Sequence, residues 1–127
     1  MLDQMNRLLT FIGVTLVALG PAALVSPPFA ARMYGISADT PSAEAYLRAA
    51  ATRDVALGIG LLTALGFGAR RRVLAALLLA IALVAAGDAA NVLLHAGWKN
   101  PLALAVHIGG FAVVLTIGLW LWRTDGA

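Results

Sequence analysis

Apolar residues fall into four long blocks, helices expected over about 6–26, 41–67, 73–96 and 101–122, and this pattern restricts the fold more than any other feature. A bilayer core of roughly 30 Å takes about 20 helical residues to cross, so four crossings consume about 80 residues. The chain has 127, which leaves short turns and tails and no room for a second domain. With 61% hydrophobic and 12% charged residues, a water-soluble fold would lack the polar surface to cover itself. The expected fold class is therefore all-α: an integral membrane antiparallel four-helix bundle, with residues 1–127 as a single transmembrane domain.

The first apolar run, Leu8 to Val25, follows Arg7 and precedes a small-residue site at Ala30-Ala31, as a secretory leader would. It is longer than the apolar region of a leader and more hydrophobic segments follow, so it reads as a retained span. Gly20-Pro21 is expected to kink it and Pro27-Pro28 to end it. Residues 29–42 read as the longest loop, mixing aromatics with Arg32 and Asp39 as a segment in the headgroup region would. Thr40-Pro41 supplies an N-cap and a first-turn proline for the second helix. The turn Gly66-Phe67-Gly68 with Arg70-Arg71-Arg72 leads into the third, and Gly97-Trp98-Lys99-Asn100 precedes Pro101, which opens the fourth.

A net charge of +3 from nine Lys and Arg does not describe a nucleic-acid binder, because three of the nine sit in one turn. Their distribution is a topology pattern instead. Arg7, the triple arginine and Arg123 fall on one face of the membrane, and Arg32, Lys99 and Arg48 on the other. The larger set marks the cytoplasmic side of a bacterial-type inner (plasma) membrane, with both termini inside. Cysteine is absent, which excludes disulfides, thiolate catalysis and Cys-ligated metal. The partners to expect are membrane lipid and a hydrophobic small molecule, with no nucleic acid. Gly58, Gly60, Gly109, Gly110 and Gly118 point to close helix packing within one subunit, a homo-oligomer seam being the second reading.

Several polar residues stand where lipid should forbid them. Asp88, Asn91 and His95 follow at spacings of three and four, which puts them on one face of the third helix. Arg53 and Asp54 are adjacent, hence about 100° apart, and should serve different neighbours. Counted from the outer helix ends, Arg53 and Asp54 lie roughly 15 to 20 Å deep, Asp88 roughly 12 Å and His107 roughly 9 Å. Three spans thus bring polar groups into the same half of the bilayer. The other half, Leu74 to Val84 and Val113 to Leu121, is almost purely apolar.

A charged group near the bilayer centre costs about 2.5 to 3.5 kcal/mol, so something compensates for these. One reading is structural: Arg53 pairs with Asp88 or Asp54 and the network locks the bundle. The other is a polar pocket in which Asp54 and Asp88 exchange proton roles, Arg53 tunes them, and Asn91, His107, Tyr46 and His95 orient water or substrate. That inventory suits isomerisation, epoxide opening, cyclisation or water addition on a lipophilic small molecule, with no cofactor. It is similar to the Asp-Arg-Asp arrangement with accessory Tyr and Asn of soluble limonene-type epoxide hydrolases, a likeness of side chains alone. Two histidines, His95 and His107, without HExxH spacing are a weak mark of haem or metal ligation, a hydrogen-bonded histidine being the commoner case, and no phosphate loop or GxSxG elbow is present.

Two stretches are motif-like: Phe29 to Gly35 (FAARMYG), and Arg48 to Gly58 (RAAATRDVALG) with its RD-x-x-LG core. In these and in helix layout the chain resembles the small four-helix membrane proteins of the DoxX-like group. The resemblance implies a four-helix antiparallel bundle with its polar residues on helices two to four. It also implies the alternative to an enzyme, a non-catalytic subunit or quinone- or lipid-binding accessory. The founder of that group is linked to thiosulfate and quinone oxidation, and this chain lacks the cysteines sulfur chemistry often uses.

The charge asymmetry makes one prediction by itself. A reporter active only in the cytoplasm, fused after Ala127, is expected to be active, and one active only outside the cell to be silent.

Overall fold

The computed structural model describes residues 2–124. Its regular structure is entirely helical: α1 (Leu2–Val25), α2 (Pro27–Tyr34), α3 (Pro41–Gly66), α4 (Arg71–Ala96) and α5 (Pro101–Thr124), with a 3-10 turn at Gly97–Lys99. All but α2 are long and apolar enough to cross a membrane, so the architecture is that of an all-α membrane helical bundle. Pro21 is accommodated inside an α1 that continues past it.

The segment read as a loop after residue 28 begins instead with α2. Proline lacks an N–H and so ends a helix, but the first turn of a helix needs no N–H, and Pro27-Pro28 does both. Gly35 closes α2 in the left-handed region at φ 72°, with its N–H on the Ala31 carbonyl. A Cβ there would lie 2.6 Å from Val92 Cγ2 and 2.9 Å from Ala103 Cβ, so the end of α2 is pressed directly onto α4 and α5. Asn100 reinforces the join. Its Oδ1 accepts from the Ala103 N–H at the start of α5 (3.2 Å), and its Nδ2 donates to the Arg32 carbonyl (3.4 Å). Thr40 caps α3 as expected, accepting from the Ala43 N–H at 3.1 Å.

The long helices pack as two antiparallel pairs. Along α1 and α3, Gly20 faces Val55 while Gly13 faces Gly58 and Leu62. A Cβ on Gly58 would stand 2.6 Å from the Gly13 carbonyl oxygen, so the two backbones are in contact. Along α4 and α5, Gly118 rests on Leu78 and Leu79. Lipid offers apolar side chains no hydrophobic gain for leaving it, so this close van der Waals fit carries the association. The pairs share a core around Leu9, Leu61, Leu78, Val114 and Leu121, while α1 and α5 barely meet. A cleft remains between them. Of the glycines expected to mediate packing, Gly58 and Gly118 do so, whereas Gly60, Gly109 and Gly110 have open space where a Cβ would be.

This division is testable by unfolding the purified protein in detergent. Gly58→Leu forces α1 from α3 and should cost about 1–3 kcal/mol, while Gly60→Ala, which meets no neighbour, should cost nothing and gain up to about 1 kcal/mol from the helix preference of alanine.

Candidate functional site

Because successive spans run in opposite directions, Arg53 and Asp54 on α3, Asp88 on α4 and His107 on α5 arrive at one level beneath α2. There Arg53 Nη1 donates to Asp88 Oδ1 at 3.0 Å and Nη2 to Asp88 Oδ2 at 2.7 Å. Its Nε and Nη2 also donate to Asp54 Oδ1, at 3.1 and 3.0 Å. One guanidinium therefore binds both carboxylates. This corrects the expectation that residues 100° apart must serve different neighbours: the arginine side chain is long enough to bend over its own helix, and its planar fork offers two edges.

The remaining oxygen of Asp54, Oδ2, accepts from the Tyr34 hydroxyl at 2.5 Å. Asp54 is 5% exposed and Tyr34 7%. Burial first, and the adjacent Asp54 next, push the Tyr34 phenol far above its ordinary pKa, so it stays a proton donor to the carboxylate. His107 is buried, with Nδ1 4.0 Å from Asp88 Oδ2 and its ring centre 6.2 Å from that of Tyr34. Its Nε2 is buried with no hydrogen-bond partner among the described residues. An unpaired buried nitrogen is costly.

Tyr34, Asp54, Asp88 and His107 border the polar end of a cavity of about 340 Å³. Arg53 lies behind the carboxylates and off the wall. From there the cavity runs inward between α1 and α5 over apolar side chains that include Phe11, Leu16, Leu57, Ile81 and Val113. The arrangement is one small polar head on a long apolar void, which fits a lipophilic molecule with a single polar group.

Three residues expected to share this site do not reach it. Asn91 Nδ2 donates to Tyr46 Oη at 3.2 Å, on an outer face of α3 and α4. His95 is exposed, with Nδ1 2.9 Å from the Asn91 carbonyl of its own helix. Spacing alone placed Asn91 and His95 with Asp88, but α2 closes the cavity at the level of Val92, where Gly35 packs, and Asn91 and His95 lie at or beyond that level. Tyr34, conversely, is not marked by spacing, because a proline pair after a long apolar run gives the pattern of a loop. The helix-opening Pro27-Pro28 and the Tyr34-Gly35 end were its available marks.

Thermal unfolding in detergent separates the two tyrosines. Tyr34→Phe removes a buried hydrogen bond to a carboxylate and should cost about 1.5–3 kcal/mol. Tyr46→Phe, at an exposed contact, should stay within about 0.5 kcal/mol.

A family model described as a domain of unknown function, DUF4267, matches residues 13–121, which takes in most of the α1 wall, all of α2, α3 and α4, and α5 as far as Leu121. No curated protein and no solved structure matches the chain. The protein, a small chain with four helices of membrane-spanning character, belongs to the DUF4267 family.

Proposed function

We propose that this protein is a membrane-embedded, cofactor-independent acid–base enzyme that acts on a lipophilic small molecule, of the isomerase, epoxide hydrolase or cyclase type. The observation that carries this reading is that both carboxylates bound by Arg53 front the same apolar cavity. A network built only to hold helices together has no need of a void beside it. Here each carboxyl faces the void and is held from behind.

In epoxide opening, one carboxyl gives its proton to the epoxide oxygen as the carbon–oxygen bond breaks. The other carboxyl takes a proton from a water whose oxygen bonds to the carbon. The product is a diol, the two carboxyls have exchanged states, and a proton passed between them resets the site. Isomerisation or cyclisation uses the same exchange without the water. Arg53 keeps the two groups at fixed separation and balances one of their charges. Tyr34 orients Asp54, and His107 is placed to hold the substrate's polar group. The side-chain likeness to limonene-type epoxide hydrolases supports this choice of chemistry by analogy. Asn91, Tyr46 and His95 take no part in it.

The basic residues Arg7, Arg70 to Arg72 and Arg123 gather at the opposite end of the bundle from α2, and Arg71 Nη1 reaches the Thr124 carbonyl (3.4 Å). This supports placing that end, with both termini, on the cytoplasmic face of a bacterial-type plasma membrane, and the cavity's polar head toward the outer leaflet. The second reading is the non-catalytic lipid- or quinone-binding subunit that the DoxX-like resemblance implies. Its support is that Arg53 is engaged at Nε, Nη1 and Nη2 at once, as in a permanent structural tie.

A panel of lipophilic epoxides and isoprenoids incubated with the protein in nanodiscs decides between them. The enzyme reading expects turnover that falls at least about 100-fold in Asp54→Asn and in Asp88→Asn while both variants stay folded. Absence of turnover by the unmodified protein across the panel, or turnover unchanged by both substitutions, would favour the accessory subunit.

A further inference from the structure

The cavity is not closed on the side of the bundle that faces lipid. Its mouth lies between α1 and α5, two long helices with little contact between them. Phe11 and Val113 on its two lips are 68% and 51% exposed. Between them Gly109 and Gly110 are exposed, line the cavity, and present open space where side chains would stand. A glycine pair in mid-helix is unfavourable relative to alanine, and here no neighbouring helix uses the room it leaves.

At the head of the cavity the one nearby cation, Arg53, already donates from Nε, Nη1 and Nη2 to the two Asp side chains, and no Lys or Arg lines the cavity among the described residues. Carboxylate, phosphate and sulfate heads would find no counter-charge there. The buried, unpartnered His107 Nε2 calls for a hydrogen-bonding group instead. The volume of about 340 Å³ is at the low end of the roughly 300–1,000 Å³ typical of small-molecule sites. It holds a polar head and the first part of a chain, and the rest must lie in the mouth.

We infer that the cleft between α1 and α5 admits, sideways from the bilayer, an uncharged single-headed lipophile, such as an alkanol or alkyl epoxide. Its head pairs with His107 Nε2, and its chain lies over Gly109 and Gly110, which set the width of chain accepted. The inference rests on the proposed acid–base site for its identification of the ligand as substrate. Its binding geometry is testable separately.

The test uses a twelve-carbon alcohol carrying a diazirine along its chain, and the matching alkyl sulfate, photolysed with the protein in phosphatidylcholine nanodiscs. Labelled peptides are mapped by mass spectrometry. The alcohol is expected to label the cavity faces of α1 and α5, around Phe11 and Val113, at least fivefold above other lipid-facing positions, and the sulfate not to. Gly110→Leu should abolish this preference and Gly110→Ala preserve most of it, both variants being at least as stable to heat as the wild type. Labelling spread evenly over the four spans, equal labelling by the sulfate, or a preference untouched by Gly110→Leu would overturn the inference. So would crosslinks joining two copies of the chain through α1 and α5, since the cleft would then be a subunit seam. The preferred labelling without turnover of any lipophile would keep the cleft and end the enzyme reading. Turnover lost in Asp88→Asn, with labelling indifferent to Gly110→Leu, would do the reverse.

Discussion

A single guanidinium held between two carboxylates organises this molecule. Arg53 leaves α3, turns back to Asp54 on its own helix and forks onto Asp88 of α4. In water such a triad contributes little. Within a bilayer any of the three charges left unpaired costs several kcal/mol, so each depends on the others and none can be removed singly without penalty. The tie also spans the lightest of the joins between consecutive spans. α1 is fastened to α3 by glycine-mediated contact and α5 to α4 by a long seam, whereas the two pairs meet mainly through the shared apolar core and this cluster.

Pairing the helices in this way has a consequence for ligands. Two tight pairs joined along one side leave an opening on the other, between α1 and α5. Short α2 roofs that opening at one end and inserts Tyr34 against Asp54. The cavity is thus formed by all five helices although none of its walls is unusual alone. Its polar head and apolar length follow from depth. The ionisable residues sit where α2 covers them, and farther inward the spans are apolar.

The four spans were legible because a helix must satisfy its own backbone in lipid, which makes length and composition nearly sufficient. The common level of Asp54, Asp88 and His107 could also be read, since alternating direction and a rise of about 1.5 Å per residue convert sequence position into depth. Rotation about the helix axis was harder. Spacing grouped Asn91 and His95 with Asp88, but only the position of α2 decides where the cavity stops. The adjacent pair Arg53-Asp54 was misjudged because angular offset describes Cβ directions, and a long arginine overrides it. Tyr34 was hidden by a proline pair read as a stop and not as a start as well. For Gly109 and Gly110, composition cannot tell packing against a helix apart from lining a void.

The dependence of the bundle on the Arg53 tie can be measured most directly by a double-mutant cycle on Arg53→Met and Asp88→Leu, with unfolding free energies determined in bicelles. Arg53→Met is expected to cost about 3–5 kcal/mol, because it leaves both Asp54 and Asp88 without a counter-charge, and Asp88→Leu to cost less, because Arg53 keeps Asp54; with Asp88 already gone Arg53→Met strands Asp54 alone, so the double variant should lose about 2 kcal/mol less than the two single losses added. Additive losses, with a coupling near zero, would contradict the pairing on which the fold, the cavity head and the proposed chemistry all rest.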